Sequence, residues 1–201
     1  YYGDDLVASD DYLFFRNVGN ITELWRSDGT TSGTFLLELH NSTFNAGPQE
    51  MFATDDALFY SARTFEEGRE LWTSDGSRNG TVRVKDIADN VGLNSFLSDF
   101  FEFENKFWFT YNNSLSYTDG TYSGTVNTEI GAVRPTIFND TLYFRSGFSS
   151  STGGELYKYD GKPNSSPTLV KDIEPGSASS NANPVAVTDS LLFFVAITDD
   201  E

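Results

Sequence analysis

One eight-residue phrase returns along the chain and restricts what it can fold into. It reads Glu23-Leu24-Trp25-Arg26-Ser27-Asp28-Gly29-Thr30, then Glu70-Leu71-Trp72-Thr73-Ser74-Asp75-Gly76-Ser77. A worn copy runs Ser114-Leu115-Ser116-Tyr117-Thr118-Asp119-Gly120-Thr121, and another runs Glu155-Leu156-Tyr157-Lys158-Tyr159-Asp160-Gly161. The Asp-Gly pairs start at 28, 75, 119 and 160, giving steps of 47, 44 and 41 residues. A unit that short cannot bury its own apolar face and must stack on its neighbours. The 201 residues therefore read as one repeat array, with units at 1–44, 45–93, 94–132 and 133–180 and a partial fifth at 181–201.

Each unit divides into four strand-like pieces. The first two are short and joined by a polar pair: Asp10-Asp11, Asp55-Asp56, Glu104-Asn105 and Asn139-Asp140 in units one to four. Asp and Asn tolerate the left-handed backbone of a tight hairpin, so these pairs read as turns. The third piece is the Glu-Leu-Trp phrase. The fourth follows the Asp-Gly turn, as in Gly80-Thr81-Val82-Arg83-Val84-Lys85-Asp86-Ile87. Polar stretches such as Asn45-Ala46-Gly47-Pro48 lead onward. This pattern predicts an all-β fold, a β-propeller built from four-stranded antiparallel blades of about 45 residues. Runs such as Leu13-Phe14-Phe15 and Phe107-Trp108-Phe109 do not alternate apolar with polar. That suits sheets covered on both faces. A linear solenoid of β-hairpins is the alternative architecture.

At the Glu-Leu-Trp-x-Ser-Asp-Gly-Thr phrase the chain resembles the ELWxxDGT repeat family. Units of that family continue into Gly-Thr, Val-Lys-Asp-Ile and Pro-Gly-Ser. Gly80-Thr81, Lys85-Asp86-Ile87, Lys171-Asp172-Ile173 and Pro175-Gly176-Ser177 match that continuation. Unit three departs most, with Ser116 in place of Trp. The resemblance implies a segment of a large secreted or cell-surface protein and no general catalytic assignment. The Asp-Gly hairpin is also similar in position to the Asp-box of sialidase-like propellers, which is a structural turn.

Composition narrows the function classes. A net charge of −17 repels phosphate backbones and disfavours nucleic acid. No apolar run approaches the ~20 residues of a membrane-spanning helix, so no membrane insertion is expected. There is no cysteine, and His40 is the single histidine, so thiol chemistry and a histidine-based metal cluster are not expected. The chain starts at Tyr1 inside a strand-like pattern, and its one methionine is Met51. A processed product or fragment is expected.

Few residues invite a chemical reading. Asp28, Asp75, Asp119 and Asp160 read as turn caps, each with a following glycine (Gly29, Gly76, Gly120, Gly161) that supplies the positive φ. Trp25, Trp72 and Tyr157 read as packing between blades, with a sugar-stacking surface as the alternative. Glu23, Glu70 and Glu155 read as partners for basic residues of a neighbouring blade, or as solvated. Glu38, Asp86, Glu129 and Asp172 recur near the end of the fourth strands. They read as acceptors for the next unit's backbone, or as lining for a calcium site; no other cofactor is implied. No catalytic triad, phosphate-binding loop or paired-carboxylate motif stands out. Six Asn-x-Ser/Thr sequons, at Asn20, Asn41, Asn79, Asn112, Asn139 and Asn164, fall in predicted turns or loops and read as N-glycan acceptors.

The expected role is an extracellular, secreted or cell-surface module, structural or adhesive, that contacts protein or polysaccharide. A lectin-like propeller and a glycoside-active enzyme are the alternatives. Exposed rim aromatics favour the first, and carboxylates converging on one cavity favour the second. The fifth unit stops before its Glu-Leu-Trp phrase, so either further chain or self-assembly is expected to complete it.

Overall fold

A computed structural model describes residues 6–18, 22–40, 47–64, 68–87, 95–146, 152–162 and 164–198. Among these there is no helix. The first sheet holds β1 (Leu6–Ala8), β2 (Leu13–Val18), β3 (Thr22–Ser27) and β4 (Phe35–His40). The second holds β5 (Gln49–Ala53), β6 (Leu58–Thr64), β7 (Gly68–Ser74) and β8 (Val82–Lys85). The third holds β9 (Leu97–Phe103), β10 (Lys106–Tyr111), β11 (Ser114–Thr118) and β12 (Val126–Gly131). The fourth holds β13 (Val133–Phe138), β14 (Thr141–Ser146), β15 (Glu155–Tyr159) and β16 (Thr168–Lys171). A hairpin of β17 (Asn183–Val187) and β18 (Leu192–Val195) follows. In every sheet the strands lie side by side in chain order. The pairings of the first, second and fourth sheets are antiparallel, and so is that of the hairpin. The repeated phrase forms the third strand each time.

The chain divides into two compact units. The first comprises Tyr1–Glu102, Lys106–Asn112 and Tyr117–Val126; the second comprises Phe103–Asn105, Asn113–Ser116 and Asn127–Glu201. In the first unit, β6 explains the unbroken apolar runs. Leu58, Tyr60 and Ala62 join Phe14, Leu24 and Leu37 of the first sheet in one apolar layer. Phe59, on the opposite face, joins Leu71, Val84, Leu97 and Phe107 in another. The rings of Phe59 and Phe107 stack at 4.0 Å, only 5° from parallel. The second sheet is therefore covered on both faces, and a strand so placed gains from apolar residues at successive positions. In the second unit, β17 packs against β13 and β14, and Leu142, Phe144 and Leu156 are buried.

Within the phrase, leucine is the core residue. Leu24, Leu71 and Leu115 are 0% exposed and Leu156 is 2% exposed. The aromatic that follows is only half-buried. Trp25 stacks on Phe15 at 6.3 Å, its cross-strand partner in the same sheet. Trp72 stacks likewise on Tyr60 at 6.2 Å, and also packs on the layer between the first two sheets. The expected packing between sheets thus holds for one side of Trp72, while a cross-strand pair within its own sheet holds the other.

Two kinds of tight turn close the hairpins. Glu104-Asn105, Asn112-Asn113 and Asn139-Asp140 have both residues at positive φ, between 47° and 60°. That is the type I′ geometry whose twist matches paired strands. Asp10-Asp11 and Asp55-Asp56 do not enter the left-handed region. There the preceding hydroxyl closes the loop: Tyr12 N–H donates to Ser9 Oγ at 3.2 Å, and Ala57 N–H donates to Thr54 Oγ1 at 3.1 Å.

Candidate functional site

The Asp-Gly turns are closed hydrogen-bond cages. In the first, Asp28 Oδ1 accepts the Thr30 backbone N–H at 2.9 Å and the Thr30 hydroxyl at 2.7 Å. Gly29 N–H donates to Ser27 Oγ at 3.0 Å, Gly33 N–H to Thr30 Oγ1 at 2.9 Å, and Thr34 Oγ1 to the Thr30 carbonyl at 2.6 Å. The second turn repeats the set through Ser74, Asp75, Ser77, Gly80 and Thr81. The third repeats it through Thr118, Asp119, Thr121, Gly124 and Thr125. In the fourth, Asp160 accepts from Lys162 N–H at 3.1 Å and from the Ser165 hydroxyl. Each carboxylate thus finds hydrogen-bond donors in its own turn. The glycine after each Asp has φ between 73° and 88°. The later glycine is required for a different reason: a Cβ on Gly33, Gly80 or Gly124 would overlap the carboxyl of Asp28, Asp75 or Asp119.

Gly80→Ala is expected to push the Asp75 carboxylate off its donors and destabilise the fold by about 1–3 kcal/mol. Asp75→Ala loses the same bonds without the overlap and is expected to cost about 1 kcal/mol. Urea melts of both variants check this; a Gly80→Ala variant as stable as the wild type would contradict the cage.

The four turn carboxyls lie below their ordinary value of 3.8, first through the side-chain hydrogen bonds they accept and next through backbone ones. Glu50 and Glu102 lie above their ordinary value of 4.5. Burial is the main cause for both, followed by Asp99 for Glu50 and by Asp55 and Asp56 for Glu102. The two groups have opposite pH signs. Folded Glu50 and Glu102 take up protons at higher pH than the unfolded chain, so stability rises as pH falls toward 4.5. The turn aspartates contribute fully above 3.8, and that contribution is lost as pH falls through their lowered folded values. Protonation also relieves the repulsion of a chain at −17. The melting temperature is expected to rise from pH 7 toward about pH 4.5 and to fall below about pH 3.8. A steady fall from pH 7 in a calorimetric series would contradict this assignment.

The phrase glutamates do something the sequence reading missed. Glu70 and Glu155 are 1% and 0% exposed, and each clamps the link that leaves its sheet. Glu70 Oε2 accepts from Ile87 N–H and from Ser95 Oγ, both at 2.7 Å. Glu155 accepts from Ile173 N–H at 3.1 Å, Ser180 N–H at 2.8 Å and Ser180 Oγ at 2.6 Å. Glu23 differs: its Oε2 accepts from Trp25 Nε1 at 2.8 Å and Asn17 Nδ2 at 3.1 Å. Unit three has Ser114 at this position, and there β12 and β13 are separated by Ala132 alone, so no long link needs a clamp. Two signals mark the clamp: Asp-Ile directly after the fourth strand, and a serine 25 residues after the Glu.

Glu70 and Glu155 thus act as backbone acceptors, a role expected of Asp86 and Glu129, which are engaged otherwise. Asp86 pairs with Arg83 at 3.6 Å, and Glu129 sits at φ 60° with its N–H on Asn127 Oδ1. Among the described residues no three His, Cys, Asp or Glu side chains lie close enough to hold a metal ion. Of the sequons, Asn79, Asn112, Asn139 and Asn164 are exposed; Asn20 and Asn41 lie outside the described residues.

Two further features were not foreseen. Glu50, Asp99 and Arg134, each second or third in the first strand of its sheet, have φ of 47°, 51° and 55°. Charged residues there hold a conformation that favours glycine. Asp99 Oδ2 accepts the Thr110 hydroxyl at 2.8 Å. The second feature is a cleft of about 390 Å³ in the first unit, lined by Tyr12, Arg26, Phe35 and residues 75–79. The Arg26 guanidinium lies 4.1 Å from the Tyr12 ring centre and 4.5 Å from that of Phe35. Arg78 lies 4.9 Å from Phe35, and its Nε donates to the Leu36 carbonyl at 2.9 Å. The only hint in the sequence is two arginines next to Asp-Gly turns of an acidic chain.

No family model matches the chain, and no curated protein matches it. Among solved structures it is similar to TolB from Acinetobacter baumannii, with TM-score 0.46 and 12% identity, over 87% of this chain and 43% of that one. It is also similar to Kluyveromyces lactis Hsv2, with TM-score 0.45 and 12% identity, over 87% of this chain and 51% of that one. A third is prolyl oligopeptidase B from Galerina marginata, with TM-score 0.43 and 13% identity, over 85% of this chain and 26% of that one. The chain spans about half or less of the length of these structures.

Proposed function

We propose that this chain is a β-propeller-type repeat module of the ELWxxDGT kind, working outside the cell as a structural or adhesive element that contacts protein or polysaccharide. What the recurring residues do carries the reading. The turn aspartates bond to their own turns, the phrase leucines fill the core, and Glu70 and Glu155 hold the links. Repetition thus builds a frame. Residues that differ between units, such as Phe96 and Tyr122, stand exposed on it. A constant frame with variable outward residues suits a binding scaffold.

Retention on immobilised polysaccharides and cell-surface proteins tests this, with release of reducing ends followed in parallel. Saturable retention without turnover is the expected result. Native material should also carry N-glycans at Asn112 and Asn139, which sit exposed on two-residue hairpin turns. Unmodified Asn112 and Asn139 peptides by mass spectrometry would remove the glycoprotein part of the reading.

A further inference from the structure

Arg26 is held unlike Arg78, the other arginine that borders an Asp-Gly turn. Tyr12 and Phe35 flank its guanidinium, and its Nε is buried and meets no hydrogen-bond acceptor among the described residues. A buried N–H donor without an acceptor is unfavourable; the Asp28 carboxylate acts on the guanidinium's charge without bonding its Nε, and an anion in the cleft would add a direct partner. The cleft beside it gives an anion access, and Arg78 sets a second guanidinium on the same aromatic ring. Gly76 keeps the cleft closely built: a Cβ there would come within 2.6 Å of the Tyr12 ring and 3.4 Å of Arg26 Nη1.

The remaining lining decides what the anion belongs to. Asp75, Ser77 and Asn79 bring polar side chains to the same cleft, and such groups suit hydroxyls. A polyanion is disfavoured by a chain of net charge −17. A single carboxylate on an otherwise neutral, hydroxyl-rich ligand escapes that repulsion and still gains a charge-assisted bond to guanidinium. A volume of about 390 Å³ matches one or two sugar rings rather than a folded partner. We infer that this cleft binds the carboxylate of an acidic sugar residue, a uronate, in an otherwise neutral polysaccharide. This deepens the polysaccharide side of the proposed function and rests on it.

Calorimetric titration of the chain, made without N-glycans, tests the inference with D-glucuronate, D-glucose and acetate as probes. Glucuronate is expected to bind saturably, with glucose and acetate each at least about tenfold weaker. Arg26→Gln and Arg78→Gln should each weaken glucuronate about tenfold or more. Arg78 is exposed, so Arg78→Gln should still fold, with only a small drop in melting temperature from losing its bond to the Leu36 carbonyl, and it decides the matter if Arg26→Gln does not fold. Glucose or acetate binding as well as glucuronate would overturn the inference. So would no glucuronate binding at all, or unchanged affinity in folded Arg78→Gln. Glucuronate binding without retention on any polysaccharide would defeat the polysaccharide side of the proposed function and leave the site standing.

Discussion

Glu155→Ala should lower stability by about 3–5 kcal/mol, because it removes a buried carboxylate and leaves its donors without an acceptor. Three bonds end on that group, two from backbone N–H and one from the Ser180 hydroxyl, and the residue is 0% exposed. Water cannot replace the lost acceptor without opening the link between β16 and β17. Glu155→Gln keeps one oxygen and should recover part of the loss. Glu23→Ala makes the comparison, because Glu23 is half-buried and, among the described residues, bonds side chains of its own sheet. Its loss should stay near 1 kcal/mol. Urea unfolding read by tryptophan fluorescence and circular dichroism separates these cases. Equal effects of Glu155→Ala and Glu23→Ala would show that the clamp contributes no more than a surface hydrogen bond.

Leu71→Ala should cost about 2–5 kcal/mol, the range for emptying a fully buried leucine site. Leu71 is 0% exposed and shares its layer with Phe59, Val84, Leu97, Phe107 and Phe109. Rings stacked as closely as Phe59 and Phe107 have little room to collapse into the gap, which places the loss toward the upper part of that range. Val82→Ala, on the neighbouring β8 but 45% exposed, should change stability by no more than about 0.5 kcal/mol. Melting temperatures measured side by side check the contrast. Similar losses at both positions would mean that the second sheet is not sandwiched between apolar layers.

The sheets were legible in the sequence because their causes are local. A phrase at near-constant spacing marks one strand per unit, and Asn112-Asn113 or Asn139-Asp140 marks a left-handed hairpin by residue type alone. Asp10-Asp11 and Asp55-Asp56 look equivalent on the same rule. They turn differently because Ser9 and Thr54 supply a hydroxyl one position earlier. The glutamate clamp was not legible, since its partners lie 17 to 25 residues away and no short-range pattern joins them. The burial of the phrase leucine follows from the two-residue alternation of a strand, which gives Leu24 the buried face and leaves Trp25 half-buried. The Arg26 cleft is assembled from three stretches of chain, at 12, 26–35 and 75–79, and only folding brings them together.

The clamp also bears on how such a chain can lengthen. Glu70 and Glu155 each fasten the link that leads out of their own sheet, so a unit brings with it the fixture that directs its successor. A segment cut just after that link and copied in tandem keeps every clamp bond inside the copy. Duplication or loss of a whole clamped unit would then leave its junction chemically unchanged. A unit such as the third can shed the glutamate once its link has shortened to a single residue. Steps of 47, 44 and 41 residues in one array show that units can differ in length while each keeps its third strand and its turn.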